Sequence, residues 1–216
     1  MKTLTCMLAA LALLAGVASA ADLWDQTGFD PWGAGFFNVA AGGPPFGMTV
    51  YTVNHVTVEA DNQWTISSIS TYYSALDPGW GGSISQGYVN VFSKTGPLPI
   101  DGVDDPSAGM LVPMSAVLDV DHFVVTASGL NITLNPGEYW IGMTPMAASG
   151  PMGPEIHLST TSFYGDASAS FDQYAFPGPP AWFNFNPGVD AAILIQGNLI
   201  VANEEMVWGE LKSLYR

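Results

Sequence analysis

Thiols and positive charge are what this chain has least of. Cys6 is the only cysteine among 216 residues, and it falls within a leader of about 20 residues that reads as removable. The remainder then has no disulfide, no thiolate metal ligand and no cysteine nucleophile. Cys6 also precedes the leader's apolar run and is therefore not placed as a lipid acceptor. Lysine and arginine number four against 19 acids, a formal charge of −15. Nothing here could neutralise phosphates, which excludes nucleic acid as a partner. Adhesion to an anionic membrane, which needs basic clusters, is disfavoured as well. Long apolar runs are missing too: Met7 to Val17 falls short of the roughly 20 residues a bilayer span takes. Charged residues make up only 11% and hydrophobic ones 48%, so the chain can bury a core and is not an acidic disordered tail.

The leader has three parts. Lys2 supplies the positive start, Met7–Val17 the apolar stretch, and Ala18-Ser19-Ala20 a small-x-small cleavage site. Cleavage after Ala20 predicts a secreted product, extracellular, on the cell surface or periplasmic. It leaves three cations against the same 19 acids. A domain without covalent staples must be held by core size alone, which is feasible at this length. Residues 21–198 are expected to form one all-β domain, and 199–216 a tail.

Short β-rich runs punctuated by Gly, Pro, Asn and Asp predict an antiparallel β-sandwich of jelly-roll type. Strands are expected at 48–58, 64–74, 87–93, 110–118, 122–127, 130–134, 139–143, 155–159, 181–186 and 191–196. Leu130, Ile132 and Leu134 alternate with Asn131 and Thr133, the period of a half-buried strand. Val89 and Val91 share one face of their strand, and Tyr88, Asn90 and Phe92 the other. Asn135-Pro136-Gly137 suits a type II turn. Between the strands lie Gly/Pro-rich loops at 30–47, 75–86, 95–109, 145–154 and 165–180. In the tail Asn203 is a good N-cap, Glu204 and Glu205 fit a first turn, and Val207, Leu211 and Leu214 line one face of a short amphipathic helix.

From Val56 to Pro145 the chain resembles the secreted β-sandwich domains of bacterial surface and exported proteins. The resemblance is carried by Trp64-Thr65-Ile66-Ser67-Ser68-Ile69, Val91-Phe92, Asp104-Asp105-Pro106, and Ile132-Thr133-Leu134-Asn135-Pro136-Gly137-Glu138-Tyr139-Trp140-Ile141. Trp182-Phe183 and Ala191–Gly197 are similar to the closing strands of such domains. These are packing motifs, so the resemblance implies a non-catalytic module and transfers no functional residue. Trp208 to Arg216 looks similar to short C-terminal tags on exported proteins.

Chemistry-bearing residues are scattered. His55, His122 and His157 sit in separate strands, none beside a nucleophile elbow or a His-Glu-x-x-His helix. Glu155-Ile156-His157 puts a carboxylate and an imidazole on one strand face, too few ligands for zinc. Calcium is the better metal candidate: Asp101, Asp104 and Asp105 place three carboxylates on a Gly-containing loop, with Asp119 and Asp121 a smaller second cluster. Trp64, Tyr139 and Trp140 are expected in the core. Trp32, Trp80 and Trp182, with Phe36 and Phe37, lie in or beside Gly/Pro loops, where a ring could stack on a sugar or fold back to seal the core.

The expected function is an exported, non-catalytic module, structural, adhesive or glycan-binding, with polysaccharide or other surface proteins as partners and calcium as a candidate cofactor. Two alternatives stay open: a polysaccharide-acting hydrolase, and a subunit of an extracellular assembly with exposed edge strands.

Overall fold

The computed structural model describes residues 20–29, 35–41, 49–75, 78–99, 106–147, 155–159, 169–172, 181–184 and 190–201. The leader and the tail helix expected from Asn203 lie outside these residues. The described chain is all-β. Its strands are β1 (Ala21–Asp25), β2 (Gly35–Phe37), β3 (Val39–Ala41), β4 (Thr49–Val58), β5 (Asn62–Ser74), β6 (Gln86–Ser93), β7 (Met110–Asp119), β8 (His122–Leu134), β9 (Gly137–Ala147), β10 (Glu155–Ser159), β11 (Ala169–Asp172), β12 (Ala181–Asn184), β13 (Asp190–Ala191) and β14 (Ile193–Val201). Two short 3-10 turns, Pro78–Ser83 and Pro106–Ala108, are its helical content. No helix among the described residues is long and apolar enough to cross a membrane.

Hydrogen bonding runs in the order β1-β14-β5-β8-β7-β6-β9-β3-β4-β11-β12, with β9 also pairing β4 directly and β10 joining β13, β2 and β5. The sheet is mixed: every pair is antiparallel except β3 with β9. Two corners carry the chain between its parts. At Glu59–Asp61, Asp61 takes a left-handed φ of 68° and the chain passes from β4, paired with β9, to β5, paired with β8 and β14. At Asn135–Pro136 it passes back from β8 to β9. Gly137 has φ 154°, not the value near 80° of a type II turn, because it already pairs with Val58. A side chain would be strained there.

Alternation put the right residues inside. Val56 and Val58 of β4, Val89 and Val91 of β6, and Ile141 and Met143 of β9 pack with Ile66 and Ile69 of β5, Val125 and Ala127 of β8, and Ile193 and Ile195 of β14 in one apolar cluster. Leu130 and Leu134 join it while Asn131 and Thr133 face water. Fully burying an aliphatic side chain of this size is worth roughly 1.5–3 kcal/mol. A few such residues match the roughly 2–4 kcal/mol of a disulfide, so the cluster suffices where cysteine is missing.

The structure corrects the expected boundaries in three places. The strands expected at 122–127 and 130–134 are one, β8, whose pairing with β5 slips between Ile66 and Ser68; Gly129, at φ 72°, absorbs the extra residues as a bulge. The expected loops 30–47 and 165–180 contain β2, β3 and β11, three or four residues each. Such short strands show no period of their own and form only because a neighbour supplies the ladder. Lastly, β1 went unexpected beside the leader, although it pairs along β14 from Ala21 to Asp25.

Two polar networks thread the interior. Gln26 Oε1 accepts from Trp24 Nε1 (2.8 Å) and Asn54 Nδ2 (2.9 Å), while Gln26 Nε2 donates to Asp190 Oδ2 at 2.6 Å. Asn54 Nδ2 also reaches the Ala191 carbonyl at 2.7 Å. In the second network Asn38 Nδ2 donates to Tyr73 Oη and to the Met143 carbonyl, both at 2.8 Å, and its Oδ1 accepts from Thr52 N (3.2 Å) and Thr144 Oγ1 (3.1 Å). All four bonds an amide side chain can make are filled. Burial, the largest influence, pushes the Tyr73 phenol far above its ordinary range.

Candidate functional site

The side of β6, β9 and β4 turned away from the main cluster carries a second group of side chains. Pairing aligns Phe92 with Trp140 and Trp140 with His55, so one cross-strand row holds two aromatic rings and an imidazole. Residues directly opposite on one face stand close enough to interact. His55 and Trp140 have ring centroids 5.7 Å apart at 50°. Val53 and Trp140 form a small buried core of their own, with Phe92, Leu98 and Trp182 packed against it. Trp182 arrives on β12, whose ladder through β11 places it level with position 51 of β4, in phase with Val53 and His55.

Beside this row the charges gather. Lys94, just past β6, donates its backbone N–H to the Glu138 carbonyl at 2.8 Å. Its Nζ lies 3.7 Å from Glu138 Oε2 and 5.8 Å from the centre of the Trp140 ring. His55 Nε2 lies 3.7 Å from Glu138 Oε1. One carboxylate thus faces an ammonium and an imidazole, with the ammonium over an indole face, a favourable cation–π position. Glu138 is 54% exposed while the Lys94 side chain is only 11% exposed; the pair opens to water at its acid end.

The same face holds polar atoms without partners. Neither the Oδ1 nor the Nδ2 of Asn90, nor the Nε1 of Trp140, has a hydrogen-bond partner, though all three are buried. Asn90 lies across from Gly142, two positions along from Phe92. Buried polar groups are nearly always satisfied in native structures, so each exception calls for an explanation.

The expected site residues are not brought together. Trp182 is half-buried and belongs to the outer aromatic group. Trp80 lies in the 3-10 turn at 78–83, its side chain outside the described set. Trp32 and the calcium candidates Asp101, Asp104 and Asp105 fall outside the described residues. Phe36 and Phe37 lie on β2, and Glu155 and His157 on β10; for these only the backbone is described. Among the described residues no group of three or more His, Cys, Asp or Glu could hold a metal ion. His122 Nδ1 sits 3.0 Å from Asp121 Oδ1 and its Nε2 4.0 Å from Asp119 Oδ2, with Phe29 edge-on at 5.0 Å. That imidazole is held by the adjoining turn. Trp64 and Trp140 are buried as expected, and Tyr139 is partly buried against the main cluster.

Sequence reasoning missed Lys94, Glu138 and Asn90. For Lys94 a signal existed: it is the only cation between Lys2 and Lys212, and a lone cation in so acidic a chain has a partner worth seeking. No protein-family model matches the chain, and neither does any curated protein or solved structure.

Proposed function

We propose that this chain is an exported, non-catalytic module of the bacterial cell exterior, a jelly-roll β-sandwich whose outer aromatic face holds neutral polysaccharide. The sandwich reading is supported by the single apolar cluster shared between β4, β6 and β9 on one side and β5, β8 and β14 on the other. Export is supported by the leader's charge, apolar run and small-residue cleavage site.

One observation carries the binding reading: Trp182 and Phe92 pack against Val53 and Trp140 outside the main core, and Lys94, over the Trp140 ring, faces the half-exposed Glu138 carboxylate. Sugar rings present C–H faces that settle on aromatic rings and hydroxyls that seek a few fixed polar groups. The half-buried Trp182 and Phe92 rings supply the first, and the half-exposed Glu138 carboxylate the second. Lys94 keeps the carboxylate in place.

The test is affinity electrophoresis through neutral polysaccharides, followed by titration of any that retard the chain. Trp182→Ala should weaken binding at least about tenfold, the loss of one good contact, measured well below the variant's melting temperature, which falls because the ring packs against Val53 and Trp140. Wild type passing every neutral glycan unretarded, or Trp182→Ala binding as well as wild type, overturns the reading.

A further inference from the structure

We propose that two copies of this chain associate edge to edge through β7, antiparallel across a two-fold axis at Val117. The strand changes partners along its length: Met110–Pro113 pair with β6 and Met114–Asp119 with β8. Past Pro113 the side of β7 away from β8 has no strand on it among the described residues. The last bond there runs from Met114 N–H to the Ser85 carbonyl, at 3.0 Å. In an antiparallel ladder alternate residues turn their backbone groups toward opposite neighbours. Met114 therefore sets the phase: Ala116 and Leu118 turn N–H and C=O outward, while Ser115, Val117 and Asp119 serve β8.

Edges of this kind are normally blunted by lysine, proline or a covering element. Residues 114–119 contain no lysine or proline. They carry instead Val117 at 60% and Leu118 at 53% exposure, followed by Val120 at 92%.

A second copy is the occupant that fits, because the outward-turned residues are symmetric about position 117. An antiparallel partner sets Ala116 opposite Leu118 on both sides of the axis, giving two hydrogen-bonded pairs. Val117 meets its own copy in the close, non-bonded pair between them, and Ser115 meets Asp119. No acid opposes an acid, a condition of weight in a chain with 19 of them. Slipping toward the strand's start meets Met114, already bonded to Ser85. Slipping toward its end meets Val120, which leaves the strand at φ 53°. An isologous contact of this kind closes as a dimer.

The strip is short, at the low end of interface sizes, so association depends on concentration. Net negative charge on both copies opposes it, and salt, by screening, favours it.

Sedimentation of the full chain from about 1 to 500 µM should show the mass rising toward two chains, more steeply in about 0.5 M salt than in about 0.05 M. Val117→Lys sets two lysines on Cα atoms about 4.5 Å apart at the axis, like charges that oppose the contact, and should leave a monomer throughout, with an unchanged melting temperature, since the side chain faces water. In a Cys6→Ser background, Val117→Cys should form an intermolecular disulfide under mild oxidation, because Cα atoms about 4.5 Å apart suit the bond; Leu111→Cys, exposed on the same strand, should not. Wild type monomeric throughout, or a dimer untouched by Val117→Lys, overturns the proposal. So does a monomer with the Ala116 and Leu118 amides protected from exchange, which would mean that a segment of the same chain covers the edge. None of these outcomes depends on glycan binding, so either reading can fail alone.

Discussion

Asn38 and Asn90 are both buried amides, at 0% and 1% exposure, each one strand removed from β9, yet their surroundings treat them in opposite ways. Asn38 lies where β2 hands over to β3 and fills all four of its hydrogen bonds, tying Tyr73 of β5, Thr52 of β4, and Met143 and Thr144 of β9 to one side chain. Asn90, on the outward side of β6, fills none. The first behaves as a fastener whose worth lies in the fold. The second carries hydrogen-bonding capacity that the fold does not use, on the same face as Trp140, Phe92 and Trp182.

The sharpest way to break this comparison is to replace both amides with leucine, a near-isostere. Asn38→Leu removes four buried hydrogen bonds, to the Tyr73 and Thr144 hydroxyls, the Thr52 N–H and the Met143 carbonyl, and a buried group left unsatisfied costs about 1–3 kcal/mol. Because some of these will find water, a total loss of about 3–5 kcal/mol is expected in urea denaturation. Asn90→Leu removes an unsatisfied group and strands nothing, so stability should hold or rise by up to about 1 kcal/mol. If the two substitutions destabilise equally, the distinction between fastener and unused capacity is wrong.

A second test acts on the fastener through pH. Burial holds the Tyr73 phenol far above its ordinary value of 10. Above pH 10 the unfolded chain releases this proton and the folded chain keeps it, so the native state binds more protons and stability falls as pH rises. The slope from Tyr73 approaches about 1.4 kcal/mol per pH unit above pH 10, and vanishes below it. Tyr72 adds in the same direction, raised by burial first and then by Asp25 and Asp22. Denaturation midpoints from pH 8 to 11.5 should therefore be flat and then fall, with a shallower fall in Tyr73→Phe. A flat profile throughout would remove Tyr73 from the buried network.

The smallest effect concerns the loop between β6 and β7. Calcium held by Asp101, Asp104 and Asp105 should raise the melting temperature by about 1–3 °C at millimolar concentration, since stabilisation grows only as the logarithm of ligand over its dissociation constant. Asp104→Ala combined with Asp105→Ala should abolish the rise. No rise in wild type would leave those carboxylates as a solvated turn.

Legibility in the sequence followed the range of the forces involved. The long strands were readable because Leu130-Asn131-Ile132-Thr133-Leu134 and Val89-Asn90-Val91 state their period locally. Strands of three or four residues, β2, β3 and β11, were not, since a run as short as Gly35–Phe37 shows no period and forms only when a neighbour offers bonds. Of the candidate rings only Trp182 could be placed, and its companions Phe92 and Trp140 were readable as strand residues but not as members of one row. Asn38 gave one faint sign, an amide between Phe37 and Val39 in an otherwise apolar stretch.

By itself the sequence determined an all-β chain, held without disulfides, acidic, and able to bury a core, because alternation, turn residues and composition are properties of neighbours along the chain. Tertiary structure alone decided that β7 changes partners at Pro113, that Lys94 and His55 share Glu138, and that Asn38 is satisfied while Asn90 is not. These depend on which strands lie side by side, and the contacts that choose them join positions as far apart as Asp22 and Gln196, 174 residues along the chain. No local pattern records such a separation, because the cost of closing a loop that long is met only by the whole core at once.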